Sequence, residues 1–159
     1  MKLDPVLEDR SRWSSIGVCA IEKAMKIVGS RNAMLTMREA FYGTTRFDDF
    51  GVRVGMSDAT TAANLKALVA AGLLERRPYQ EDGSRTRDEY VLTQAGTDLM
   101  PVVFGLFDWG MKHAPKPPRV ELRHDGCGEQ VHVRMVCDAG HEPAPDDVVF
   151  AVRRRTDER

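Results

Sequence analysis

The stretch from 45 to 92 constrains the fold most, because two helical patterns separated by glycine give way there to strand-like sequence. The segment RFDDFGVRV carries apolar residues at helical spacing, namely Phe47, Phe50 and Val54. Gly55 interrupts that pattern, and Ser57 is a candidate N-cap for a second helix that Gly72 would end. The stretch therefore predicts two short helices joined by a glycine turn.

A predicted β-hairpin follows the second helix. The strand-like runs LLERR and DEYVLT flank a polar loop with Asp82-Gly83 at its tip, and this dipeptide is typical of hairpin turns. Helix, turn, helix and hairpin follow one another in this order in a winged helix-turn-helix fold, whose second helix enters the DNA major groove. We therefore predict a mostly helical α+β protein with a winged helix-turn-helix domain, dimerisation helices at both of its ends and a small β-rich C-terminal extension.

Composition limits the class of protein. The chain has 159 residues, of which 42% are hydrophobic and 30% charged, as in a globular domain with extensions. It contains no apolar run long enough to span a membrane and no secretory signal, and its three cysteines favour a reducing, cytoplasmic setting. Residues 46–93 carry seven basic and eight acidic side chains, so DNA binding would depend on where the charges point.

The sequence divides into five predicted segments. Residues 1–14 form an arm, 15–114 the DNA-binding and dimerisation domain, 115–119 a stiff PKPPR linker, 120–152 the β-rich extension and 153–159 a charged tail.

Other elements are predicted from local patterns. Helices are expected around 4–10, at 16–28 and at 33–42, and Thr45 is the expected N-cap of the first helix of the pair. A long helical stretch begins at Thr93 and should be kinked or divided by Pro101. Alternating apolar residues predict short strands around 131–135 and 148–152.

The outward face of the second helix predicts contacts with DNA. Its alanines can only touch thymine methyl groups or fit closely, and Thr60, Asn64 and Lys66 are the polar groups within reach of bases or phosphates. Alternation places Arg85 and Arg87 on one side of the hairpin, which suits phosphates or the minor groove. A solvated helix face and a solvated hairpin are the alternatives. The predicted DNA-binding residues are Arg46, Ser57, Ala59, Thr60, Ala63, Asn64, Lys66, Arg85 and Arg87.

The long helical stretch after Thr93 is apolar on more than one side, so it should be buried on more than one side. A two-fold homodimer built on this helix and the N-terminal segment would provide that burial, and it would present two DNA-binding helices to a two-fold-symmetric operator. The predicted dimer-interface residues are Leu99, Val103, Leu106, Phe107, Trp109 and Met111.

Residues 19–113 resemble the HxlR-type family of bacterial winged-helix transcription factors, which are relatives of the MarR group. The resemblance is carried by CAIEKAMKIVGSR, MLTMREAFYGTTRFDDF, LKALVAAGLLERRPY, YVLTQAG and LMPVVFGLFDWG, in that order and with matching spacing. It implies a homodimeric DNA-binding regulator of transcription, more usually a repressor, without enzymatic activity. The chain departs from the family at the start of the second helix, where Asp58 and Ala59 stand in place of proline and asparagine.

Two residues are sensor candidates. Cys19 matches a cysteine that some family members use to sense oxidants or electrophiles, and a buried apolar cysteine is the alternative. Asn32 stands where the family commonly has tryptophan, which would leave either a pocket for a small-molecule effector or a repacked core.

A metal site is predicted in the extension. The spacing H-x2-C-x9-C-x3-H would suit a tetrahedral zinc ion, although family tails often keep this layout without a metal. The candidate ligands are His124, Cys127, Cys137 and His141. No catalytic motif is present, and the alternative to a DNA-binding regulator is a winged-helix protein-interaction module with a metal-binding tail.

Overall fold

The computed structural model describes residues 1–14, 18–80, 83 and 86–152, and the statements below concern these residues. Helices predominate, as predicted for a mostly helical α+β protein. No described helix is long and apolar enough to cross a membrane. In chain order the main elements are β1 (Lys2–Leu3), α1 (Pro5–Glu8), α2 (Ala20–Val28), α3 (Arg31–Phe41), α4 (Phe47–Val54), α5 (Asp58–Ala70), β2 (Leu74–Tyr79), β3 (Arg87–Leu92), α6 (Gln94–Asp98), α7 (Met100–His113) and β4 (Val149–Phe150).

The chain divides into two compact units, which are described separately. The larger unit is Ala20–Val133, and the smaller unit combines Met1–Cys19 with Arg134–Arg159. The predicted linker at 115–119 lies inside the larger unit. The chain beyond it returns to α7, where the Val133 amide donates a hydrogen bond to Asp108 Oδ2 at 2.9 Å.

The core of the larger unit lies between α3, α4, α5 and the hairpin. Met37, Phe50 and Leu65 are fully buried, one from each of these three helices. Full burial of such a side chain stabilises the fold by about 1.5–3 kcal/mol. The ring of Tyr90 on β3 meets the Phe50 ring edge-on, with centroids 6.4 Å apart, and this contact joins the hairpin to the helices.

The turn between α4 and α5 has the predicted glycine and cap. Gly55 adopts a φ of 75°, in the left-handed region that glycine enters without steric cost. The Met56 amide then donates to the Gly51 carbonyl at 2.8 Å, which reverses the chain. Ser57 Oγ accepts from the Thr60 amide at 3.4 Å, so the predicted N-cap of α5 is confirmed.

The prediction of an N-cap at Thr45 is wrong. Arg46 occupies the cap position of α4 and makes no side-chain capping bond. The reason lies in the hairpin: the Thr45 carbonyl accepts from the Tyr90 amide at 2.8 Å, and Arg46 forms an isolated antiparallel bridge with Glu89. The segment before α4 is therefore extended along β3 and held to it by main-chain bonds.

The predicted hairpin is confirmed as the antiparallel pair β2 and β3. Its register runs from Leu74 opposite Leu92 at the base to Tyr79 opposite Arg87 at the far end. Asp82 of the predicted tip lies outside the described residues. Gly83 has a φ of 77°, a conformation that suits the predicted glycine turn.

Pro101 divides the long helical stretch in two, which is one of its two predicted effects. Thr93 caps α6, since its Oγ1 accepts from the Gly96 amide at 3.0 Å. α7 then begins at Met100, with Pro101 in its first turn. Proline is tolerated there because amides of the first turn have no partner within the helix.

In the smaller unit, the ends of the chain pair with each other. β1 and β4 form a parallel two-stranded sheet, with Lys2 opposite Val149. The predicted helix in the arm is present as the single turn α1, capped by Asp4. The predicted strand around 148–152 is present as the two-residue β4.

The predicted strand around 131–135 is not present among these five described residues. Their main-chain bonds go elsewhere. The Val131 amide donates to the Leu122 carbonyl at 2.9 Å, whereas the Val133 amide is taken by the Asp108 side chain.

Gly96 and Gly105, both helical, offer a matched test of packing in the larger unit. A Cβ on Gly96 would lie 2.1 Å from the Leu73 carbonyl oxygen, whereas a Cβ on Gly105 would make an ordinary 3.8 Å contact with Val133. Gly96→Ala should therefore lower the free energy of unfolding in urea by at least about 2 kcal/mol through overpacking. Gly105→Ala should leave it unchanged or raise it by up to about 1 kcal/mol. Equal effects of the two substitutions would contradict the packing of α6 against Leu73.

Candidate nucleic-acid interface

The outward face of α5 is the main candidate surface. Thr61, Leu65 and Leu68 are buried at spacings of four and three, which places them on one side of the helix. The opposite stripe of α5 is exposed and consists of Ala59, Ala63, Lys66 and Ala70. One side of the helix is thus fixed in the core, and the other is presented to solvent along its whole length.

The start of α5 presents hydroxyl groups beside this stripe. Ser57 and Thr60 are exposed, and their side-chain oxygens lie 3.0 Å apart within hydrogen-bond distance. Asp58 lies in the first turn, where its negative charge interacts favourably with the helix dipole but would repel a phosphate. Any anion that approached this helix end would meet both the amide groups and this carboxylate.

The structure places Asn64 differently from its predicted role at base edges. Its Nδ2 donates to Thr36 Oγ1 at 2.7 Å, and Thr36 on α3 has no exposed surface. The amide nitrogen is therefore directed into the contact between α3 and α5. The helical period places Asn64 at the edge of the outward face. Its hydrogen-bond partner lies 28 positions earlier in the chain, so the local sequence around Asn64 does not indicate this bond.

An open cleft beside the far end of the hairpin is lined by basic and aromatic side chains and by the carboxylates of Asp48 and Asp88. The Arg46 guanidinium lies over the Tyr79 ring, with its carbon 3.1 Å from the ring centroid. Arg87 and Tyr90 contribute to the same cleft. Arg85, the second predicted cation of the hairpin, lies outside the described residues.

Two further arginines of the hairpin are paired with carboxylates. Arg77 Nη2 lies 2.6 Å from Glu75, and Arg76 Nη1 lies 3.9 Å from Asp88. Each pair is solvent-exposed, so it stabilises the hairpin weakly but reduces the positive charge that β2 presents. Arg87 on β3 is exposed and faces the cleft that contains Arg46.

The predicted dimer-interface residues on α7 and at its N-cap fall into two groups. Val103 is buried in the core of its own protomer and Leu99 is half-buried against that core, and their role in an interface stays a prediction. Leu106 and Trp109 are 55% and 64% exposed, and Phe107 and Met111 are half-buried. Because Val103 packs inward, the outward stripe of α7 instead includes Val102, which the sequence analysis missed.

α2 exposes a second apolar stripe. Ile21 and Met25 are exposed one helical turn apart, whereas Val28 is buried. The Lys26 ammonium and the Glu22 carboxylate form an i,i+4 pair at 3.0 Å elsewhere on the helix. Within one protomer, α2 therefore presents apolar side chains to solvent.

An apolar cavity of about 210 Å³ lies between α3 and α7. Its lining includes Met34, Arg38, Tyr42, Phe104 and Phe107. Asn32, the predicted pocket residue, is not among its lining residues. Asn32 is half-buried, and its Oδ1 accepts from Arg31 at 3.4 Å.

Cys19 is a half-buried free thiol at the end of the smaller unit's N-terminal segment. The alternative of a buried apolar cysteine would require a fully enclosed side chain, whereas Cys19 is partly exposed. Its role as a sensor stays a prediction.

The four predicted zinc ligands form two local pairs, one in each unit. In the larger unit, His124 Nδ1 lies 3.2 Å from Cys127 Sγ. In the smaller unit, Cys137 Sγ lies 3.6 Å from His141 Nδ1. Within the described residues of each unit, no third potential ligand joins the pair to form a metal-binding group.

The turn at Cys137 stabilises a thiolate. Backbone hydrogen bonds from His141 and then Ala139 lower the pKa of the Cys137 thiol below its ordinary value. Gly140, with a φ of 82°, closes this turn, and its amide donates to the Cys137 carbonyl at 2.8 Å. Amide donors of this kind suit a sulfur that carries negative charge, and zinc binding by the four residues stays a prediction.

Comparisons with known proteins concern mainly the larger unit. A family model described as HxlR-like helix-turn-helix matches residues 27–118. An uncharacterised HTH-type transcriptional regulator of Mycobacterium tuberculosis is 38% identical over 133 residues, which are 82% of this chain and 80% of the relative.

Two solved structures share the fold over most of their length. PA1607, described as a transcription factor, superposes with a TM-score of 0.73 at 29% identity and covers 90% of this chain and 98% of its own. PA1374 from Pseudomonas aeruginosa, also described as a transcription factor, has a TM-score of 0.61 at 29% identity and covers 88% and 96% of the two chains.

Proposed function

The chain belongs to the HxlR-like helix-turn-helix family of transcription regulators, and from this premise we propose that it is a homodimeric repressor that binds a two-fold-symmetric operator. The winged helix-turn-helix fold and the class of regulator rather than enzyme, both predicted from sequence, are confirmed by this membership. The single observation that carries the proposal is the exposed stripe of α5, which is held rigidly by the buried stripe behind it.

In the proposed complex, α5 enters the major groove and the hairpin contacts the flanking backbone. Lys66 lies in the exposed stripe of α5, and Arg87 and Arg46 line the cleft beside the far end of the hairpin. Cations at these positions neutralise phosphates and release counterions, so binding should weaken steeply as salt increases. The overall net charge of -1 makes these local positions more important than the bulk charge.

Arg87 and Arg77 give a matched test of the hairpin contact. Arg87→Ala should weaken binding to all duplex sequences alike and reduce the slope of log affinity against log salt by about 1. Arg77→Ala is the control, because Arg77 is already paired with Glu75 on the same hairpin. Fluorescence anisotropy with operator and random duplexes measures both variants. An effect of Arg87→Ala on one operator sequence only, or an equal effect of Arg77→Ala, would contradict the assignment.

Exposed apolar side chains support the proposed dimer. Val102, Leu106 and Trp109 follow one another at spacings of four and three on α7, and all three are more than half exposed. Ile21 and Met25 add a second exposed stripe on α2. Clustered exposed apolar side chains often mark an interface, and a second copy of the same chain would supply a matching apolar surface.

A charge placed in the α7 stripe should separate the protomers. Trp109→Glu should shift the protein from dimer to monomer in sedimentation velocity and weaken operator binding, while the circular dichroism spectrum stays unchanged. Val52→Glu is the matched control, because Val52 on α4 is 82% exposed and lies outside the stripes of α2 and α7. A Trp109→Glu protein that remains dimeric, or a wild-type protein that is monomeric, would refute the proposed interface.

An oxidant or a small-molecule effector is proposed to control operator binding by acting at one of the two predicted sensor positions, Cys19 or Asn32. Oxidation of the half-buried Cys19 thiol, or a small molecule near Asn32, would change the distance between the two α5 helices. Either effector can do so only if it stabilises one spacing more than the other. Release of operator in the wild type but not in Cys19→Ser on mild oxidation would support the first route.

A further inference from the structure

The hydrogen bond between Asn64 and Thr36 determines what α5 can recognise. Asn64 is the only amide side chain in α5, all of which the structure describes, and its Nδ2 is held 2.7 Å from the Thr36 hydroxyl. Thr36 is fully buried on α3, so releasing this bond would remove a partner from a buried polar group. Asn64 is therefore a positioning residue that sets α5 on α3, and one of its two amide N–H donors is already used by Thr36.

The remaining outward surface of α5 is made mainly of methyl groups. Ala59 and Ala63 occupy the exposed stripe in the N-terminal half of the helix, which approaches base edges in helix-turn-helix proteins. The Thr60 hydroxyl lies within hydrogen-bond distance of Ser57, and its methyl group adds to this surface. Within the exposed stripe of α5, Lys66 alone carries a polar side-chain group.

We propose that α5 recognises thymine through the 5-methyl groups that this base alone presents in the major groove, with Ala59 and Ala63 as the specificity-determining residues. The inference rests on the proposed function, because it names what the DNA-binding helix recognises once the protein is bound. The helix-turn-helix arrangement defines the site, and the exposed methyl groups of Ala59 and Ala63 define its chemistry. The operator half-site should accordingly contain thymines that are selected although no protein group forms a hydrogen bond with their base edges.

Replacing thymine by uracil tests the proposal directly, since deoxyuridine lacks only the methyl group and keeps the base pair. An operator is first selected from random duplexes with the full chain, and each thymine is then replaced singly. At two or more positions per half-site the affinity should fall about fourfold, the factor expected for one methyl group removed from an apolar contact. Replacing adenine by 7-deazaadenine, which removes a major-groove acceptor, should have less effect at the same base pairs.

Glycine substitutions identify which alanine contacts which thymine methyl group. In Ala63→Gly, one base pair should lose its sensitivity to uracil, because the protein side of the contact is already missing. Ala70→Gly makes the same change on the same stripe two turns later and should retain the wild-type pattern. Sensitivity to uracil that survives in both Ala59→Gly and Ala63→Gly would overturn the proposal, because it would reflect DNA shape and not methyl contact.

The role of Asn64 is tested with both partners of its hydrogen bond. If Asn64 is a positioning residue, Asn64→Ala and Thr36→Val should change the selected sequence in the same way. A change of preference at one base pair in Asn64→Ala, with an unaltered selection in Thr36→Val, would identify Asn64 as a base-contacting residue and overturn the proposal.

The proposed function and this inference fail separately. A protein that binds duplex DNA but tolerates uracil at every position would disprove methyl recognition and leave the regulator intact. A protein that selects no sequence and shows no affinity at about 50 mM salt would disprove both.

Discussion

Burial of one stripe of α5 is the constraint on which the other features depend. Thr61, Leu65 and Leu68 are enclosed by the core, so the helix cannot rotate about its axis without exposing them. The Asn64–Thr36 hydrogen bond adds a directional contact to this apolar packing. The same packing that folds the protomer therefore selects which side chains another molecule can meet.

The hairpin is tied to this arrangement through its main chain. The Tyr90 amide bonds to the Thr45 carbonyl just before α4, and the Tyr90 ring packs on Phe50 within α4. Movement of the hairpin would thus disturb the helix that supports α5. This coupling explains why contacts from the hairpin and from α5 are expected to act on one DNA molecule as a single surface.

The order of elements was predictable from sequence, because glycine turns, caps and apolar spacing are local signals. Ser57, Gly55 and Pro101 have the predicted effects on the chain. Three other features depend on contacts between distant residues and were not predictable. They are the inward Asn64 amide, the pairing of β1 with β4, and the burial of Val103 in its own protomer. Periodicity shows that α7 is apolar on two sides, but not which side faces its own core.

In the proposed complex, two copies of the chain hold two α5 helices one duplex turn apart. Hydroxyl-radical footprinting of the full chain on its selected operator measures this spacing directly. Two protected regions are expected on the same face of the duplex, with centres about 10 base pairs, or about 34 Å, apart. A single protected region, or two regions on opposite faces of the duplex, would refute this spacing.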